Sequence, residues 1–340
     1  MELGLGAWAV VFLGAAVLVG GGGVLLARGG DALAEVTGMG RMTVGLLLLG
    51  LVTSLPEIAT SMVAAATGAP DLAVGAFLGS NMANMAILAG VDLLSRRRVF
   101  PLVTLSQARI ATGAIVLTAL VGLAIVSSGA LSVGPLGVDS LTITVAFVAV
   151  LVWIRRAPAR LRADAGPADE APPASGRRAR GTRGLRQALA VLAVGALLTL
   201  GGAPALAVAA EEIATATGLA QTFVGVVFLA AATSFPELVT SVEALRIGAI
   251  DLAVGNLFGS NAFNMGAIVL ADLAYTPGAI LAAGSSALAV VAFGAVLLTG
   301  LGLAAVLHGD ETRVWRVEPD AILILVGYLL LLGVTAGVPT

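Results

Sequence analysis

Residues Gly45–Gly90 read GLLLLGLVTSLPEIATSMVAAATGAPDLAVGAFLGSNMANMAILAG, apolar sequence long enough for two membrane spans that nevertheless carries a carboxylate, hydroxyls and amides. The stretch recurs at Gly225–Leu270 as GVVFLAAATSFPELVTSVEALRIGAIDLAVGNLFGSNAFNMGAIVL, each matching residue lying 180 positions later with no gap. Thr53, Ser54, Pro56 and Glu57 match Thr233, Ser234, Pro236 and Glu237, while Gly79, Ser80, Asn81 and Asn84 match Gly259, Ser260, Asn261 and Asn264. A register held over so long a stretch marks an internal duplication.

Each copy holds the same physical problem. A proline in a helix interior has no N–H for the carbonyl four residues back and clashes with it, so Pro56 releases backbone oxygen near Val52 and Pro236 near Ala232. In hydrocarbon a released carbonyl needs protein, water or an ion against it, and a charged glutamate beside it needs a partner. A cation answers both needs. Thr53 and Glu57 stand i, i+4 on a helix with Ser54 beside them, so hydroxyls, carboxylate and loosened carbonyls face one way. Ser80 and Asn84 repeat the arrangement on the next segment. Oxygen ligands of this kind suit hard cations such as calcium or sodium. With no cysteine and one histidine in the chain, thiolate or imidazole sites for zinc or copper are disfavoured.

The duplication argues against a purely structural role for Glu57 and Glu237, since an acid inside a membrane is functional by default. Asn84 and Asn264 admit a second use, hydrogen bonding between adjacent helices. Asp71 and Asp251 follow Pro70 and Ile250 and are expected as helix N-caps at the membrane surface. Glu243 with Arg246, one turn apart, is expected as a local surface pair, and His308 as solvated. Gly75, Gly79, Gly255 and Gly259 are expected to let helices approach closely.

The composition, 59% hydrophobic and 11% charged with a mean hydropathy of +1.04, belongs to a polytopic membrane protein. The apolar start, about Leu5 to Ala27, is read as a first span and not a signal peptide. It has no basic residue before it, and the region after it has a counterpart in the second copy. Apolar runs predict an all-α fold of ten transmembrane helices, five per half. They are about Leu5–Ala27, Thr43–Ala66, Asp71–Leu94, Gln107–Val126 and Val138–Ile154, then Leu185–Ala209, Thr222–Ile247, Asp251–Leu273, Ala279–Leu307 and Asp320–Ala336. An odd number per half makes the two five-helix repeats, 1–155 and 185–340, inverted in the membrane.

Charge supports the threading. All 18 basic residues are arginine, and ten spans with both termini outside put every one on the cytoplasmic side or at a helix end there. Nine of them, from Arg155 to Arg186, fill the loop between the halves. Residues 156–184 are read as a disordered cytoplasmic linker that sets topology and meets anionic membrane lipids, not as a nucleic-acid site.

Thr-Ser-x-Pro-Glu with Gly-Ser-Asn-x-x-Asn, present twice, resembles the alpha-repeats of the cation/calcium exchanger superfamily, most closely the prokaryotic sodium/calcium exchangers. The resemblance covers both repeats and implies a secondary antiporter, not an enzyme, that exchanges Ca2+ for Na+ and needs no cofactor. It implies that Glu57 and Glu237 bind calcium, and that Thr53, Ser54, Ser80, Thr233, Ser234 and Ser260 bind sodium. Asn84 would sit at the central site, and carbonyls near Gly50 and Ala230 would complete the sodium sites. Both copies carry asparagine at 84 and 264, where some microbial relatives have aspartate at the second, so this site owns two carboxylates. The proton/calcium branch typically has Gly-Asn shortly before its glutamate, and Thr-Ser here argues against it.

The mechanism expected is alternating access at a fixed midplane site, with the first and sixth helices moving. A passive cation channel would use rings of ligands about a symmetry axis, and a diacid protease would need a nucleophile or metal set that the chain does not show. The expected location is the plasma membrane, multi-pass, with no obligate protein partner.

Overall fold

The computed structural model describes residues 4–94, 99, 105–127, 131–156, 182–218, 231–308 and 319–336. Ala230, the first part of the expected seventh span (222–230), most of the expected linker (157–181), Arg96 to Arg98, Arg313 and Arg316 lie outside these residues, as does the His308 side chain.

The all-α expectation holds for the described residues, apart from a two-residue-per-strand hairpin, Ser132–Val133 with Leu136–Gly137. Helices α1 (Leu5–Thr37), α2 (Arg41–Val44), α3 (Gly50–Ala66), α4 (Pro70–Leu94), α5 (Leu105–Ser127) and α6 (Val138–Arg155) fill the first half. The second half holds α7 (Thr182–Ala216), α8 (Phe235–Arg246), α9 (Ile250–Gly266), α10 (Ile268–Ala274), α11 (Ile280–Ala283), α12 (Ala287–His308) and α13 (Pro319–Ala336). Among the described residues, 8 helical runs are long and apolar enough to cross a membrane, and Pro319–Val334 is a shorter apolar helix. Helix is the structure such sequence must take in hydrocarbon, because it satisfies every backbone group within the segment.

The duplication is visible in the backbone. Gly68 and Gly248, repeat counterparts, close α3 and α8 at φ 79° and 80°. Ala69 N bonds Ala64 O at 2.9 Å, and Ala249 N bonds Ala244 O at 2.8 Å. Both are left-handed caps of the kind glycine makes without strain.

Several expectations need correction. Helix α1 does not end at Ala27 but runs to Thr37, and α7 runs to Ala216, past the predicted Ala209. Charged residues beyond Ala27 find partners, as where Asp31 of α1 accepts from Arg41 Nε of α2 at 2.5 Å. The predicted ninth helix is broken: α11 ends at Ala283, Gly284 is extended, and α12 restarts at Ala287. Asp71 accounts for the break, since its Oδ1 accepts a hydrogen bond from Ser285 N at 2.6 Å. It therefore pins the segment just before α12, while its own helix begins one residue earlier at Pro70. Asp251 likewise lies inside the first turn of α9, not at its N-cap.

Compactness divides the chain into two units, Met1–Pro56 with Pro167–Leu257 and Glu57–Gly166 with Phe258–Thr340. Each unit takes residues from both copies. In the first, α1 and α7 pack along much of their length. A Cβ at Gly22 would stand 2.8 Å from Gly195 O, and one at Gly202 2.9 Å from Val19 Cγ2, so glycine permits the approach. The expected glycine packing is confirmed at Gly255, where a Cβ would lie 2.9 Å from Met42 O; Gly79 meets nothing among the described residues. In the second unit α12 packs on α4, α5 and α13, with α6 beside α5.

Candidate functional site

The first copy's motif lies on α3, which continues through Pro56. A π-helical turn, Gly45–Leu49, lies immediately before α3, a wide turn of the sort found at functional sites. Gly45, at its start, permits the close approach of α9. A Cβ there would stand 2.5 Å from Leu252 O.

Thr53, Ser54 and Glu57 are all buried. Thr53 Oγ1 lies 3.0 Å from Leu49 O and 3.2 Å from Asn256 Oδ1, and Asn256 donates from Nδ2 to Ser241 Oγ at 3.2 Å. Ser54 Oγ has no hydrogen-bond partner among the described residues. One oxygen of Glu57 accepts from Ser80 Oγ at 3.4 Å, well beyond the roughly 2.7 Å of a tight hydroxyl bond. Its other oxygen, Oε2, has no partner among the described residues. A carboxylate held so loosely at 3% exposure keeps its lone pairs for something else.

The amide motifs meet in a clasp within the second unit. Asn81 donates from Nδ2 to Asn261 O at 3.2 Å, and Asn261 returns the bond to Asn81 O at 3.3 Å. Asn84 Nδ2 donates to Asn261 Oδ1 at 2.9 Å, and Asn264 Nδ2 to Asn81 Oδ1 at 3.0 Å. The orientations are forced in sequence. A backbone carbonyl only accepts, so Nδ2 of Asn81 and Asn261 must face it. Their Oδ1 atoms then demand donors from Asn84 and Asn264. What remains is Oδ1 of Asn84 and of Asn264, both buried and both without a hydrogen-bond partner among the described residues. Bonding between the helices thus uses the Nδ2 end of each amide and leaves its Oδ1 end without a partner among the described residues.

The second copy's motif is built differently. Ser234 leaves helical geometry (φ −91°, ψ 13°), and α8 starts at Phe235 with Pro236 in its first turn, where proline's missing N–H is harmless. Glu237 is fully buried in that same first turn. Thr233 and Ser234 precede it in the first unit, together with Gly50; Ser260 is buried in the second unit. Among the described residues no group of three or more His, Cys, Asp or Glu could hold a resident metal.

The sodium/calcium exchanger protein family profile matches residues 7–156 and 187–337. The chain belongs to that family. It is 30% identical to a putative antiporter, CaxA, of Alkalimonas amylolytica over 322 residues, covering 89% of this chain and 92% of the relative. It is 28% identical to the inner membrane protein YrbG of Escherichia coli over 73% of this chain and 74% of that one. The sodium-calcium exchanger NCX_Mj, soaked with 2.5 mM Na+ and 10 mM Sr2+, superposes with a TM-score of 0.69 over 96% of this chain and 98% of that one at 21% identity, a likeness of fold.

Several polar residues of this exchanger-family chain escaped the sequence reading. Asp92 and Asp272 are repeat counterparts and both buried. Asp92 accepts from Val99 N at 2.7 Å, and Asp272 from Gly137 N and Ile280 N, each at 2.7 Å. Their shared offset of 180 was the available signal. Glu243 is no surface pair. It is buried, bonds Arg28 of α1 at 2.7 Å, and meets Arg246 at 3.3 Å.

Proposed function

We propose that the chain is a secondary active antiporter that exchanges Ca2+ for Na+ across the membrane by alternating access. The observation that supports this best is the set of buried oxygens that no described residue satisfies: Glu57 Oε2, Ser54 Oγ, Asn84 Oδ1 and Asn264 Oδ1. All are hard, and all belong to the duplicated motifs. Glu57 and Glu237 supply the charge that calcium requires. Thr53, Ser54, Ser80, Thr233, Ser234 and Ser260, with the carbonyls of Gly50 and Ala230, supply the neutral ligands for sodium. Asn84 and Asn264 line the central position. Two carboxylates neutralise one calcium ion, and the same two carboxylates left empty disfavour the transition between the two open states, which couples the fluxes.

In this reading the chain makes ten spans as two inverted repeats, 1–155 and 185–340, with the 156–184 linker cytoplasmic and both termini outside. It lies in the plasma membrane among lipids, and α1 and α7 move to open one side at a time. The names of the relatives, an antiporter and a sodium-calcium exchanger, agree with this assignment.

The test is radiolabelled calcium uptake into proteoliposomes loaded with sodium, against potassium-loaded and proton-gradient controls at fixed potential. Uptake that requires internal sodium supports the proposal. Uptake driven by a proton gradient moves the chain to proton/calcium exchange, and uptake with no counter-ion requirement makes it a channel.

A further inference from the structure

The bond from Thr53 to Asn256 has no equivalent in the repeat pattern. The counterparts of Thr53, Asn256 and Ser241 are Thr233, Ala76 and Ser61. Alanine carries no amide, and Ser61 Oγ is buried with no hydrogen-bond partner among the described residues. The motifs flanking Asn256 repeat faithfully, yet this one polar residue, fully buried, belongs to the second copy alone.

Its geometry decides what it does to Thr53. Asn256 turns its Nδ2 to Ser241 Oγ and its Oδ1 to Thr53 Oγ1. Thr53 Oγ1 also lies 3.0 Å from a carbonyl, Leu49 O. Both of these oxygens only accept, so the Thr53 hydroxyl proton is turned toward them and the hydroxyl is held in one orientation. A hydroxyl fixed in this way is ready to ligate a cation without first reorienting.

We infer that Asn256 is a positioning residue for the sodium ligand Thr53, through a side-chain bond that Ala76, at the counterpart position, cannot make. This rests on the proposed role of Thr53 as a ligand. Ser241 anchors the amide, so that Asn256 presents oxygen and not nitrogen to Thr53.

The test uses full-length protein in proteoliposomes, with sodium titrated against calcium uptake. Asn256→Ala raises the half-saturating sodium concentration about fivefold, the factor one neutral hydrogen bond is worth, with the maximal rate nearly unchanged. Ser241→Ala shifts it in the same direction by less, and carries the test if Asn256→Ala does not fold. In a Thr53→Ala background the Asn256→Ala change adds nothing further, which a general packing role would not produce. An unchanged sodium dependence in Asn256→Ala, or a full additional shift on top of Thr53→Ala, overturns the inference while leaving Thr53 a ligand. Thr53→Ala with wild-type sodium dependence overturns the ligand assignment itself, and this inference with it.

Discussion

Two copies of one motif fold in two ways. In the first, Thr-Ser-Leu-Pro-Glu rides on a helix that continues through Pro56 after a π-helical turn. In the second, Thr-Ser-Phe-Pro-Glu straddles a helix start, with Pro236 in the first turn of α8. The side chains are therefore set by the motif, and the backbone by its surroundings. Gly45 lets the π turn press on Leu252 O. Asn256 ties Thr53 in place, with only Ala76 at its own counterpart.

Substituting the carboxylates tests where the copies should be alike. Glu57→Gln and Glu237→Gln should each reduce sodium-driven calcium uptake at least about 100-fold, beyond the usual loss for an outer-shell partner, with the protein still folded by size-exclusion chromatography. Strong residual flux in one variant alone would show that only one copy carries the charge. The prolines should separate the copies. Pro56→Ala restores a donor inside α3 and should stabilise the protein by about 3 kcal/mol in thermal unfolding while slowing transport. Pro236→Ala, in a first turn, should change stability by less than about 1 kcal/mol.

The ion pair of Glu243 separates them again, since its counterpart and that of Arg28 are Val63 and Val208. Arg28→Gln should cost about 2 kcal/mol, the loss of a charge-assisted bond to a buried carboxylate, while Val208→Ala should cost less than about half of that on an exposed helix surface. The smallest effect is a control for likeness. Gly68→Ala and Gly248→Ala should each cost about 1 kcal/mol, equally, because both hold the same left-handed cap.

The repeat, the paired acids and the helical character were legible because they are periodic or duplicated, and duplication amplifies a weak local signal. The positions that were missed break that pattern or act across it. Asn256 stood out only as a mismatch with Ala76, which reads as drift until its bonds to Thr53 and Ser241 are seen. The overhang of α1 beyond Ala27 depends on tertiary partners for Arg28 and Asp31, which no hydropathy profile contains. The break at Gly284 was hidden because its cause, Asp71, lies 214 residues from Ser285. For the amides, the family pattern announced Asn84 and Asn264 but gave no hint that Asn81 and Asn261 fix which atom each of them has left over.

The asparagine clasp has one more property. Its four bonds form two reciprocal pairs, each residue of one copy bonding the other copy as its counterpart bonds back. This is the pattern of an isologous contact, the kind that two identical chains make about a twofold axis. A lone half bearing Asn81 and Asn84 therefore already holds both sides of the joint, and would meet a second molecule of itself through the same bonds.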